Sequence, residues 1–165
     1  MKPFNLAFLI AALLAPAFLQ SQSGALSKEE AAIMEVIEKE SRYFWGRNFK
    51  KWKKQWVHEP YVVWSSSSRD GVRQYDGWAT WSAQVQQLFE EDPEPIPYEG
   101  HVTKENYQFR IYGDGAWVRF EQVNEGTRTF ENRIMEKQGR KWKIAAVQLF
   151  FDANQQEETT QSEEE

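Results

Sequence analysis

Arg119 and Arg133 are the residues in this chain whose types and settings best suit chemistry. They sit in two strand-like runs, Ala116-Trp-Val-Arg-Phe-Glu-Gln122 and Glu131-Asn-Arg-Ile-Met-Glu-Lys137. A strand that flanks its arginine with Trp117, Val118 and Phe120 is half or fully buried, and a guanidinium held there needs an anion or hydrogen-bond acceptor. The expected setting is a pocket. The two-residue period puts Trp117, Arg119 and Glu121 on one face of their strand and Glu131, Arg133 and Met135 on one face of the next. Two arginines and two glutamates are thus candidates for one neighbourhood. Either they neutralise each other as an internal ion-pair network, or the arginines keep donors free for a ligand carboxylate or phosphate. Charged hydrogen bonds contribute on the order of 1.5–3 kcal/mol each, so two free guanidinium groups could orient a small anion.

Glu121 and Glu131 are the candidate general bases if the chain is an enzyme of isomerase, dehydratase or cyclase type, with a tyrosine or arginine stabilising an oxyanion. Gln148 and Asn132 are neutral supplements, Asn132 having the opposite parity to Arg133. Tyr43, Trp56, Trp64, Tyr75, Trp78 and Tyr107 are candidates for the wall of a ligand pocket, where flat rings suit sugars, aromatic acids or polycyclic molecules. Aromatic stripes at helical spacing also build cores, so most of these rings are expected to be packing residues.

Other chemistries find little support. His58 and His101 are the only histidines, neither lies in a metal-ligand spacing, and the chain has no cysteine. No metal or cofactor is therefore expected. Ser65 to Ser68 lacks the Gly-x-Ser-x-Gly elbow of a serine nucleophile and reads as a polar strand end or turn. With 25 acidic against 20 basic residues the chain lacks the basic footprint that nucleic acid demands. Lys50, Lys51, Lys53 and Lys54 read as the solvated face of a short helix. Glu90-Glu-Asp-Pro-Glu-Pro-Ile-Pro97 reads as an acidic, stiff loop.

Residues 1–23 carry a Lys2 head and then an uncharged apolar run, the pattern of a secretory signal peptide with cleavage near Ser21 to Ser23. Export to a periplasm or out of the cell is the expectation, with no stable membrane anchor after cleavage. Residues 24–152 are enough for one compact domain. The acidic tail, 153–165, has nothing to bury and is expected to be disordered.

Within the domain, Ser27 and Glu30 form a capping box, and Ile33, Val36, Ile37, Glu40 and Phe44 recur at helical spacing up to about Trp45. Asn48 caps a short second helix holding Phe49, Trp52 and Trp56. Tyr61-Val-Val-Trp64 reads as a strand, with the serines and Arg69-Asp-Gly71 as its turn. A third helix begins at Asp76, with Trp78, Trp81, Val85 and Leu88 in line. Four strands follow, Val102 to Tyr112, Ala116 to Val123, Thr127 to Lys137 and Lys141 to Phe151, split by Gly113-Asp-Gly115, Glu125-Gly126 and Gln138-Gly-Arg140. The class is α+β: helices on one face of an antiparallel meander. In the last strand Trp142, Ile144, Ala146 and Phe150 share one parity and Ala145, Val147, Leu149 and Phe151 the other. Helices cover only one side, so the second is expected to meet another subunit.

This order of elements, with Gly113-Asp-Gly-Ala-Trp-Val-Arg-Phe-Glu-Gln122 and Glu131-Asn-Arg-Ile-Met-Glu-Lys-Gln-Gly-Arg-Lys-Trp-Lys-Ile144, resembles the NTF2-like superfamily. Within it, the chain looks like the SnoaL-like and DUF4440-type proteins and the association domain of calcium/calmodulin-dependent protein kinase II. The resemblance spans roughly Ser27 to Asp152. It implies three N-terminal helices packed on a curved, mainly antiparallel sheet, a cone with an internal pocket, and a homodimer formed through the sheets. It also implies arginines in that pocket at the positions of Arg119 and Arg133. Relatives often carry histidines on the last strand where this chain has Ala146 and Gln148, so acid-base chemistry there does not carry over. Fold alone confers no reaction, and a small-ligand binder, the enzyme above and a non-catalytic oligomerisation module all remain open readings.

Overall fold

The computed structural model describes residues 25–152, so the proposed signal peptide and the acidic tail lie outside the described residues. Helix α1 (Lys28–Trp45) starts where expected: the Ser27 hydroxyl accepts from the Glu30 N–H and the Glu30 carboxylate accepts from the Ser27 N–H, satisfying two helix-end donors reciprocally. Asn48 caps α2 (Phe49–Trp52), which tightens into a 3-10 turn over Lys53–Gln55. Helix α3 (Trp78–Glu91) begins two residues beyond the expected Asp76. Its first turn is preceded by Gly77 at φ 82°, where an added Cβ would sit 3.4 Å from the Pro60 carbonyl oxygen. Only glycine takes that backbone freely, so the chain turns there before the helix starts.

Six strands form one sheet in the order β2-β1-β6-β5-β4-β3. They are β1 (Val63–Ser68), β2 (Gly71–Asp76), β3 (Val102–Tyr112), β4 (Gly115–Asn124), β5 (Thr127–Gln138) and β6 (Lys141–Phe151). All neighbours are antiparallel except β1 and β6, whose pairing is parallel. The serine run is a correction: Ser65 to Ser68 pair with β2 and, through Ser67, with β6, and the turn shrinks to Arg69 and Asp70. Backbone pairing on both sides outweighs the turn preference of serine.

The helices lie on one face of the sheet, closing a core of Ile33, Ile37, Trp52, Trp56, Trp81 and Val85 against Val118, Phe120, Met135, Ile144 and Val147. Two bulges set which side chains reach that core. In β3, Asn106 at φ 57° and Tyr107 together oppose Phe120. In β6, Met135 pairs with Ile144 but Ile134 pairs with Ala146, leaving Ala145 as the extra residue. The bulge corrects the expected parity of the last strand: Trp142, Ile144, Val147 and Leu149 all serve the inner face. The outer face keeps Ala146, Gln148 and Phe150.

Candidate functional site

Arg133 projects from β5 into the inner face and meets two carboxylates. Its Nε donates to Glu131 Oε2 at 2.9 Å, its Nη2 lies 2.8 Å from the same oxygen, and its Nη1 donates to Glu40 Oε2 at 2.9 Å. Glu40 comes from α1 and also accepts from Trp52 Nε1 at 2.7 Å. The Phe120 ring lies 5.2 Å from the guanidinium carbon. Relative exposures of 4% for Arg133, 2% for Glu131 and 6% for Glu40 make this a desolvated triad, stable only because each charge is paired. Burial works against the arginine's charge, but Glu131 and then Glu40 outweigh it and push its pKa upward.

The triad forms part of the wall of a cavity of about 110 Å³, walled otherwise by Phe44, Trp45, Trp64, Trp81, Val147 and Leu149, with Ser41 and Gln122 as polar additions. The rings cluster: Trp64 stacks on Trp81 at 4.8 Å and 10°, and Tyr75 lies against both, 5.8 Å from Trp64 and 5.6 Å from Trp81. Two buried polar atoms of the lining residues, Gln122 Oε1 and Trp81 Nε1, have no hydrogen-bond partner. Unmet polar groups of this kind cost about 1–3 kcal/mol each, which the packing around them offsets. A second, larger groove of about 440 Å³ shares Trp64 and Leu149 with the cavity and runs past Ser66, Ser68 and Arg73.

A neighbouring cluster joins α1 to β3. Glu38 accepts from Tyr107 at 3.0 Å and from Tyr98, while Lys104 Nζ donates to the Tyr98 oxygen at 2.6 Å and stands 3.7 Å from Glu38. The Lys104 side chain is 1% exposed, and burial pulls its pKa down to about 8 against the opposing pull of Glu38. Burial, reinforced by Glu38, pushes both tyrosines up, so they remain donors. Burial would raise the Glu38 carboxyl, but Lys104 and the two phenols hold it below its ordinary value.

The structure separates the two arginines. Register pairs Arg119 with Asn132 and Val118 with Arg133, so Arg119 lies on the outer, exposed face of the sheet. Gln148 pairs with Asn132 and is exposed on that same outer face. Glu121 is outward too, accepting from Arg128 at 2.5 Å and from Asn106 at 2.9 Å. Of the expected quartet only Glu131 and Arg133 share the interior, because a face assignment within each strand does not fix which faces adjoin. The position-by-position transfer of an arginine at 119 into the pocket is thereby corrected, and the guanidinium of Arg133 is committed to its carboxylates rather than held out to an anion.

Among the aromatic candidates, Trp64 lines the cavity. Trp56 is fully buried between Trp52 and Trp81. Trp78 lies flat on His58 at 4.2 Å and on Trp52 at 5.7 Å, away from the cavity wall. Tyr75 packs against Trp64 and Trp81, Tyr107 belongs to the Glu38 cluster, and Tyr43 carries the Lys51 ammonium 5.5 Å from its ring centroid. The residues missed were Glu40, Gln122, Trp81 and Lys104. Glu40 had a visible signal, a carboxylate inside the apolar stripe of α1. Among the described residues no group of three or more side chains is arranged to hold a metal ion.

No protein-family model matches the sequence, and no curated protein matches it. Solved structures do. An NTF2-like protein of unknown function from Shewanella baltica superposes with a TM-score of 0.58 at 14% identity, covering 78% of this chain and 98% of that one. A cystatin-like fold protein from Burkholderia xenovorans gives 0.57 at 16% identity, covering 74% and 91%. An NTF2-like protein of unknown function from Methylobacillus flagellatus gives 0.58 at 14%, covering 78% and 96%. The chain has the NTF2-like fold, with its helices against a curved α+β sheet.

Proposed function

We propose that this chain is an exported NTF2-like protein that binds a small organic ligand in the cavity between α1, α3 and the sheet. The observation that carries this reading is the hollow itself, about 110 Å³, walled by Phe44, Trp45, Trp64 and Trp81 beside the buried triad. Concave hollows lined mostly by rings and apolar groups, with a few polar side chains, are where small organic molecules bind. The cavity is smaller than the roughly 150 Å³ that accommodates benzene in an engineered protein, so it suits a ligand head of about four or five non-hydrogen atoms. The adjoining groove has room for the remainder. A binding role is favoured over catalysis because Glu131, the inward candidate base, shares one oxygen between two Arg133 nitrogens.

The export part of the proposal rests on the Lys2 head and the apolar run of residues 1–23. A homodimer through the outer sheet face is supported by Ile134 and Phe150, 36% and 41% exposed on neighbouring strands, with Trp117 beside Ile134 and Phe130 beside Phe150. The test of the binding reading is ligand-observed NMR of a fragment library against the mature protein, repeated on Trp64→Ala. Fragments that bind the native protein and are lost in the variant support the cavity as the site. A library with no binder, or binders indifferent to Trp64, refutes it.

A further inference from the structure

We infer that the groove along the β1–β2 hairpin is a ligand site in its own right, one that takes a small organic zwitterion, an α-amino acid with an apolar side chain. The two charges that define this site, Asp70 and Arg73, are not on the wall of the hollow, so they act whether or not the hollow is filled. At about 440 Å³ the groove falls within the roughly 300–1,000 Å³ typical of small-molecule sites, which the hollow of about 110 Å³ does not reach. Register decides what faces into it. Trp64 points to the inner face, and Ser66 and Ser68, two and four residues on, point the same way. Arg73 pairs with Ser66 across the hairpin, and Ser66 pairs with Leu149 on its other side. One row over three strands therefore presents a guanidinium, a hydroxyl and an isobutyl group to the groove.

Asp70 and Arg73 are the charged residues of that groove, and both are exposed. Among the described residues neither side chain has a hydrogen-bond or ion-pair partner, the other included. A purely anionic guest would set its charge beside Asp70, and a purely cationic one would set it beside Arg73. A zwitterion answers both: its carboxylate matches the planar fork of the guanidinium, and its ammonium donates to the Asp70 carboxylate. The Ser66 hydroxyl, also without a partner among the described residues, is a further donor to the ligand carboxylate. Ser68 is used otherwise, its hydroxyl accepting from the Asp70 N–H at 3.2 Å and so fixing the turn that carries the acid. Gly71, paired with Ser68, adds no side chain to the row nearest that turn, where a Cβ would meet open space. The opposite bank is apolar: Leu149 and Phe151 come from β6, and Trp64 stands at the end shared with the hollow. Charges on one bank and hydrocarbon on the other match the two ends of an apolar amino acid.

L-leucine, 4-methylpentanoate and 3-methylbutylamine share one hydrocarbon and carry both charges, only the carboxylate, or only the ammonium. Each is titrated at neutral pH into the mature protein, into Arg73→Gln and into Asp70→Asn, with calorimetry and ligand-observed NMR as readouts. Both substitutions fall on exposed side chains of a hairpin and should leave Tm within a few degrees. Leucine should bind about tenfold more tightly than either fragment, the worth of one charged hydrogen bond. Arg73→Gln should weaken leucine about fivefold or more without weakening the amine, and Asp70→Asn should weaken it about as much without weakening the carboxylate. A single-charge ligand that binds as tightly as leucine overturns the zwitterion assignment, and so does leucine binding indifferent to either substitution. Failure of all three to bind overturns the site itself. Fragments lost in Trp64→Ala but unmoved by Arg73→Gln would keep the hollow as a binding site without the groove.

Discussion

Replacing Arg133 with methionine tests the electrostatic foundation of the site. The substitution keeps an unbranched side chain of similar length against Phe120 but leaves Glu131 and Glu40 facing each other without their cation. Removing one partner from a buried ion pair costs about 3–5 kcal/mol. Glu40 retains the Trp52 N–H and the cavity admits some water, so the low end, about 3 kcal/mol, is the figure to expect. With an unfolding entropy of roughly 2.1 cal/mol/K per residue, a domain of residues 25–152 has about 0.27 kcal/mol/K, and the loss converts to a Tm lower by about 11 °C. The assay is calorimetry plus urea unfolding between pH 5 and pH 7.5. Unpaired buried carboxyls are driven to hold protons, so the folded variant binds more protons than its unfolded chain and its deficit should narrow as pH falls. Arg119→Met, on the exposed face, should stay within about 0.5 kcal/mol of the native protein. A loss below 1 kcal/mol at Arg133, or an equal loss at Arg119, would refute the triad as a buried, mutually dependent unit.

Lys104 should make stability rise with alkali. Burial brings its folded pKa to about 8, below the ordinary lysine value of 10.5, so between those values the unfolded chain holds more protons and the cost of burying the ammonium is progressively relieved. The groups facing it are Glu38, Tyr98, Glu40, Glu131 and Arg133; relative to Lys104→Met, the native protein should gain about 2 kcal/mol from pH 7 to pH 9.5 in urea titrations, and a flat difference would contradict the burial of this amine. Tyr107→Phe deletes a 3.0 Å bond to Glu38 and should cost about 1.5 kcal/mol by the same titration, half of which or less would place the phenol outside the cluster's energetics. Ile134→Glu puts a charge on the outer face and tests the proposed dimer: the native chain should sediment as a dimer and the variant as a monomer in analytical ultracentrifugation, without lowering Tm by more than a few degrees; a monomeric native chain, or an unchanged sedimentation coefficient in the variant, would exclude that face as the contact.

Element types were legible because their signals are local. The Ser27 and Glu30 box, Asn48, and the glycine turns between the last four strands each act within a few residues, and each element stands close to where they put it. The site was less legible because it depends on register. Parity grouped Arg119 with Glu121 and Arg133 with Glu131 correctly within each strand, yet only the Val118 to Arg133 pairing reveals that the two groups face opposite ways. The Ser65 to Ser68 run failed for a related reason, since two partner strands settle its conformation and neither is visible from the serines themselves. Glu40 could have been found: a carboxylate in step with Ile33, Ile37 and Phe44 demands a buried partner, and Arg133 supplies it. Lys104 carries no such mark in Val102-Thr-Lys-Glu-Asn106, because its burial comes from Tyr98 and α1 folding over it.

Ala145 acts as a clutch in the last strand. Before it, β6 lies beside Trp56 through the Ile144 bridge; after it, the strand takes up β1 from Ala146 onward. Losing that single alanine would force a choice: either Trp142 and Ile144 or Val147 and Leu149 must swing out into water. A one-codon deletion here would thus turn half a strand inside out and uncouple the foot of the sheet from the hairpin that carries Trp64, while every other residue of the chain kept its identity.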